Sequence, residues 1–205
     1  MSREQEIGLA SGVVVHGACP PLGALGEEIA ACRLCLEAPK SAPMPHPPRP
    51  VAVLSQTAKI CICGQAPGTR VHASGRPFTD PSGNRLRAWL GMDETTFYNP
   101  SKLAIVPMGF CFPGLDAKGG DLPPRSECRA TWHARVFALM PQLELIILIG
   151  RYAQRWHLGQ IDGYRVPRTL TETVANWRTI YDPDAPRRYL AVPHPSWRNN
   201  AWFKR

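Results

Sequence analysis

Four short apolar runs constrain this chain most: Ile60-Cys61-Ile62-Cys63, Leu103-Ala104-Ile105-Val106, Leu145 to Ile149, and Tyr189 to Val192. The first and third close on a glycine, Gly64 and Gly150. Runs this short, with little polar alternation, fit strands covered on both faces, as in a parallel sheet. The segments between them carry helical signals. Leu86 to Leu90 reads as a helix, and Leu170 to Tyr181 as another. Residues 126–140 place Trp132, Val136 and Met140 four residues apart on one face, with Ser126 as the expected N-cap. Strand–helix alternation of this kind predicts a three-layer α/β/α sandwich around a central, mostly parallel sheet of four strands.

The remainder of the chain is placed around that core. Residues 1–205 read as a single domain, with 1–58 an N-terminal strap and 59–205 the α/β core. Residues 1–30 show little pattern beyond Val13-Val14-Val15, and Glu27 to Leu36 reads as a short helix or knuckle carrying Cys32 and Cys35. Residues 41–50 hold five prolines, which excludes helix or central strand and makes them a loop. The chain ends at Lys204-Arg205 before a last helix could finish, so a natural C-terminal continuation is expected.

Composition narrows the class. With 44% hydrophobic and 20% charged residues the chain is globular rather than disordered. No run reaches the roughly 18–20 apolar residues of a membrane span, and no signal-peptide pattern follows the polar start, so a cytoplasmic protein without a membrane partner is expected. A net charge of +8, scattered over arginines such as Arg70, Arg76, Arg85 and Arg87, favours a polyanionic partner met by a face assembled on folding. Seven cysteines, an odd number without a secretory signal, argue against a disulfide framework. Cys61 and Cys63 read as small core residues, and Cys19 has no assigned role.

Ligand sites in such sheets lie beyond the carboxyl ends of the strands. Two segments stand out there: Gly64-Gln65-Ala66-Pro67-Gly68, and His194-Pro195-Ser196 about 130 residues later. Either alone is ordinary, since Gly-x-x-Pro-Gly can be no more than a tight turn. Together, in this order and at two strand ends, they resemble the two signature motifs of uracil-DNA glycosylases. The nearest pattern is the iron–sulfur type called family 4, with its Gly-Glu-Ala-Pro-Gly and His-Pro-Ser motifs. Gly75-Arg76-Pro77-Phe78 follows the first motif at the expected distance. Cys32-x-x-Cys35, then Cys111 and Cys128 with sixteen residues between them, resemble that family's four cluster ligands. Roughly residues 30–200 are covered. On the residues alone, a CxxC with two distant cysteines fits a 4Fe–4S cluster, a zinc ion, or no metal at all; the resemblance implies the cluster.

The resemblance also implies a chemistry. Uracil must be flipped out of a duplex, and breaking its glycosidic bond leaves positive charge on the sugar and negative charge on the base. Phe78 is the implied stacking platform and His194 the donor to the uracil O2, with Gly64, Ala66 and Ser196 lining the pocket. Two departures matter. Gln65 stands where family 4 has a glutamate and cannot act as a base, so Asp80 becomes the expected carboxylate, resembling a family 5 aspartate; its bland alternative is a cap before Pro81. Pro107 replaces a base-reading asparagine, which leaves the backbone of Met108 and Gly109 to read the base and keeps hypoxanthine and xanthine open as substrates. Trp197 and Arg198 are the expected wedge and phosphate contact, the alternative for Trp197 being core packing. No lysine lies in either motif, so a monofunctional enzyme without Schiff-base strand cleavage is expected, acting as a monomer on uracil-containing DNA. The competing readings are a uracil- or abasic-site-binding protein with little turnover, and a zinc-holding interaction module.

Overall fold

The computed structural model describes residues 6–8, 11–17, 19–196 and 199–200. The four expected strands are present as β4 (Ile60–Cys63), β5 (Leu103–Ile105), β6 (Leu145–Ile149) and β7 (Arg188–Val192), numbered after three earlier ones. They lie side by side in the order β5-β4-β6-β7, all parallel. Strand β4 is thus in the middle: the chain leaves it to one side for β5, then crosses back to the other side for β6.

The sheet has seven strands among the described residues, not four. Strands β1 (Glu6–Gly8), β2 (Val13–His16) and β3 (Ala52–Ser55) extend it beyond β5. Strand β3 runs antiparallel to β5, β2 parallel to β3, and β1 antiparallel to β2. The edge of β5 would otherwise leave a row of backbone groups unpaired, and residues from the N-terminal strap supply the partner.

Alternation along the strands sorts the apolar side chains into two cores. Cys61, Cys63, Ala104, Ile146 and Leu148 face one side, with α1 (Pro20–Ala30), α6 (Ser126–Ala138), α7 (Gly150–Leu158) and α9 (Trp177–Ile180) packed there. Ile62, Leu103, Ile105, Ile147 and Ile149 face the other, under α4 (Pro81–Leu90) and α5 (Glu94–Phe97). Short helices complete the chain: α2 (Leu34–Glu37), α3 (Thr69–Ser74) and α8 (Leu170–Ala175). The Sγ atoms of Cys61 and Cys63 stand 3.9 Å apart in the first core, both fully buried.

Local signals were read with small errors. Helix α6 buries Trp132 and Val136, with Met140 buried just past its end, but its N-cap is Arg125 and Ser126 is its first residue. The span Leu170 to Tyr181 is two helices broken at Asn176. Helix α1 begins at a Pro-Pro pair, where the missing N–H groups cost nothing, and buries Leu22, Leu25 and Ile29. Among the described residues no helix is long and apolar enough to cross a membrane.

Candidate functional site

The first glycine-rich loop and the loop after β5 are one backbone unit. Val106 N–H donates to Ile62 O, Met108 N–H to Gly64 O (2.9 Å) and Gly109 N–H to Gln65 O (3.0 Å). Parallel pairing therefore continues past both strand ends. It brings Gly64, Gln65, Met108 and Gly109 together, and it engages the two amide donors expected to read the base. From behind, His133 on α6 donates Nε2–H to Pro107 O at 3.0 Å.

Phe78 stands against this unit. Its Cζ lies 3.6 Å from the point where Gly64 would carry a Cβ. Phe78 has φ 55°, the one positive value among described non-glycine residues, a conformation costing on the order of 1–3 kcal/mol. Three contacts hold it there. The Tyr98 hydroxyl donates to Pro77 O (2.9 Å) or Phe78 O (3.0 Å), while Arg87 donates to that hydroxyl. Phe97 meets the Phe78 ring edge-on at 5.9 Å. Gly83 lets α4 approach so closely that a Cβ there would stand 1.9 Å from Phe78 O. These contacts over-determine a backbone conformation that would not persist without them. Arg76 lies 3.5 Å over the Tyr98 ring and pairs with Glu94, which braces the same corner.

The second motif follows β7. His194 Nδ1 accepts a hydrogen bond from Ser196 N–H at 3.2 Å. A ring nitrogen that accepts from an amide has no proton, so the proton of the neutral ring resides on Nε2. Burial depresses the His194 pKa, against the opposing pull of Asp80 and Asp121, and so favours that neutral form. Asn199 Nδ2 donates to His194 O at 2.7 Å, and Arg85 on α4 donates to Pro195 O and Ser196 O, both at 3.2 Å. His194 is thereby a preset Nε2–H donor. Its Cβ lies 3.9 Å from where Gly150, at the end of β6, would carry one.

Asp80 caps α4: its carboxylate accepts from Ser82 N–H (3.3 Å) and from the Ser82 hydroxyl (2.7 Å). The cap geometry anticipated as the bland alternative is therefore present, while the charge still acts on His194. Trp197 and Arg198 lie outside the described residues. Tyr98, Arg85 and Gly83 were not singled out from the sequence, since none belongs to a motif and each acts through a contact across the fold.

The second constellation is the cysteines. Cys32 follows α1, Cys35 lies on α2, Cys111 follows β5 and Cys128 lies on α6, and all four line one cavity with Arg125 and Trp132. Burial raises the thiol pKa values of Cys35, Cys111 (to about 12) and Cys128, and the four sulfurs repel one another as charges. Phe110 N–H donates to Cys128 Sγ at 3.2 Å. Arg125, in a buried pair with Glu127 (2.9 Å), stands beside Cys35. Two residues of the wall carry buried donors without an acceptor, Trp132 Nε1 and Arg125 Nε. A cationic iron–sulfide core would compensate the thiolates, and its sulfur atoms would accept from both donors, so the residues fit such a group. Among the described residues no group of three or more His, Cys, Asp or Glu side chains is formed that could hold a single ion; the thiols surround a cavity instead.

A wound α/β sheet therefore carries the strained Phe78 beside the end of β4 and a neutral imidazole, His194, just past β7 on the same carboxyl edge of the strands. The chain belongs to the uracil-DNA glycosylase superfamily, whose family model matches residues 51–205. The match takes in both strand-end motifs, Phe78, Asp80, Cys111 and Cys128. Membership points to glycosylase-like function on a DNA substrate.

Proposed function

We propose that this chain hydrolyses the N-glycosidic bond of a flipped uracil in DNA and leaves an abasic site, as a monofunctional glycosylase. The observation that carries the reading is the His194 tautomer. An Nε2–H donor fixed by Ser196 N–H is a preorganised partner for the charge that grows on uracil O2 as the bond breaks. Burial disfavours the imidazolium, so the neutral ring can make this bond without a cation being desolvated. Phe78 supplies the stacking face, and Asp80 places negative charge on the His194 side, where the cationic sugar develops. With the Met108 and Gly109 amides engaged, base reading falls to nearby carbonyls and to Gln65 and Ala66, which leaves other deaminated bases open as substrates.

The cavity of Cys32, Cys35, Cys111 and Cys128 is the proposed seat of a 4Fe–4S cluster. A cluster sets its thiolates apart around a cube, which suits a ring of sulfurs better than one tetrahedral zinc does. When bound it would tie the N-terminal segment to α6 and to the loop after β5. In this respect and in its second motif the chain resembles the family 4 type, with Asp80 in a family 5-like segment.

The test is alkali-dependent cleavage of a single-uracil oligonucleotide by wild type, Asp80→Asn and His194→Ala. Cleavage by wild type that drops in both variants supports the reading. Gln65 favours one competitor, a protein that grips uracil or abasic DNA with little turnover. Uracil-selective binding without cleavage by wild type would establish that competitor instead.

A further inference from the structure

Gln65 leaves the proposed reaction without a proton acceptor in the first motif, and Asp80 is held by Ser82. A second carboxylate approaches the end of the first motif, and acts on His194, from a loop that the motifs do not include. Residues Gly114–Leu122 form a closed turn: Leu115 and Asp121 make an antiparallel bridge, Leu122 N–H donates to Gly114 O (2.9 Å), and Asp116 N–H donates to Gly120 O (2.7 Å). Asp116 Oδ1 accepts from Lys118 N–H and Gly120 N–H, both at 2.8 Å, which stiffens the tip. The turn delivers Asp121 to the end of the first motif. Its Oδ2 lies 3.6 Å from where Gly68 would carry a Cβ. Its charge acts on the buried His194, as Asp80 does. Among the described residues the Asp121 carboxylate makes no hydrogen bond or ion pair, and the residue is open to water.

We propose that Asp121 is the general base of this chain, orienting the attacking water and taking its proton. The inference rests on the glycosylase reading above. The C1′–N1 bond breaks and its electron pair leaves with the base, where the His194 Nε2–H stabilises it. The water oxygen bonds to C1′, and the water proton passes to the Asp121 carboxylate and then to solvent. Asp80 contributes fixed charge and Asp121 the transferable site. This division follows from their surroundings: a carboxylate bound to its helix cap is poorly placed to exchange protons, whereas an unpartnered one at a pocket rim is free to.

Single-turnover excision from a single-uracil oligonucleotide tests this, alongside binding to an oligonucleotide carrying a tetrahydrofuran abasic analogue. Asp121→Asn is isosteric and lies at the surface, so folding is not at risk. It should slow excision about 100-fold or more and keep analogue binding within about threefold of wild type. Asp121→Glu should recover about tenfold of that loss. Wild type that excises uracil while Asp121→Asn stays within about fivefold of it overturns the inference and spares the glycosylase reading. A rate loss matched by an equal loss of analogue binding overturns it too. Wild type that excises nothing sinks the reading itself, and this inference with it.

Discussion

The strand-end cluster around Phe78 and His194 and the thiol cavity are built on opposite principles. In the cluster the chain satisfies itself: Ser196 N–H sets His194, Tyr98 holds the backbone of Phe78, and Gly64 O takes the Met108 amide. The geometry there is complete before any ligand arrives, which is what electrostatic preorganisation requires. In the cavity the chain leaves itself unsatisfied. Desolvated thiols crowd one another, and the Trp132 Nε1 and Arg125 Nε donors have no acceptor. On the proposed reading, the first would support chemistry on a passing substrate, and the ligand of the second would become part of the fold. The two share the loop Pro107–Cys111, whose Met108 and Gly109 amides bind the first motif while Gly109, Phe110 and Cys111 line the cavity.

The largest effect should come from the unfinished site. Cys128→Ser should lose bound iron and the absorbance near 400 nm. It should also lower Tm by roughly 10 °C or more, given that about 1 kcal/mol moves a domain of this size by about 2–4 °C. Metal analysis showing neither iron nor zinc in wild type, with an unmoved Tm in the variant, would erase the contrast. His194→Ala probes the finished site. It should slow excision by a few hundredfold, about 3 kcal/mol of transition-state stabilisation, with Tm and iron content unchanged. A loss of iron in that variant would mean that the two regions are not separable.

The link between them should be acid-sensitive. Burial lowers His133 to about 4 and His157 to about 3, and His133 is the residue that holds Pro107 O. Both lie below the 6.5 of a free imidazole. The unfolded chain therefore takes up protons that the folded one refuses. Their contribution is complete above pH 6.5 and falls as the pH drops toward 4, by about 1.4 kcal/mol per pH unit for each histidine. Urea melts at several pH values should show this slope, and His157→Phe should flatten it. An equal slope in the variant would place the acid response elsewhere. The smallest effect is expected at Tyr98. Tyr98→Phe removes the hydroxyl that holds the strained Phe78 and should cost about 1 kcal/mol, roughly fivefold in excision. It should act on KM for uracil DNA more than on stability; a drop in Tm with unchanged kinetics would make Tyr98 purely structural.

Much of this molecule was legible from short-range pattern. The runs at 60–63, 103–106 and 145–149 formed strands covered on both faces, where so little polarity is tolerated, and 189–192 formed the half-buried edge strand β7. Strand β3 and helix α1 were not read. Ala52–Ser55 follows a proline-rich loop and is too short to signal itself, and Pro20, Gly23 and Gly26 mask the helical spacing of Leu22, Leu25 and Ile29. Both exist because a bare edge of β5 and an open sheet face needed covering, which is information about partners rather than about the segment. Asp80 shows the same limit within the site. Its place before Pro81 signalled a cap and its resemblance signalled a catalyst, and the bond to Ser82 with charge on His194 is compatible with either.

The sequence by itself determined the class of the sheet, the two motifs at strand ends, and the four cysteines that line one cavity, because each is carried by residue type and local spacing. Only the tertiary structure decided the seven-stranded extent of the sheet, the tautomer of His194, the clamp on Phe78, and the arrival of Asp121 beside Gly68. Those depend on where the folded backbone sets a particular amide, hydroxyl or carboxylate, whether two residues along as for Ser196 or in another loop as for Asp121. Hydrogen bonds act over about 3 Å, and residue type and spacing do not encode a distance of that kind.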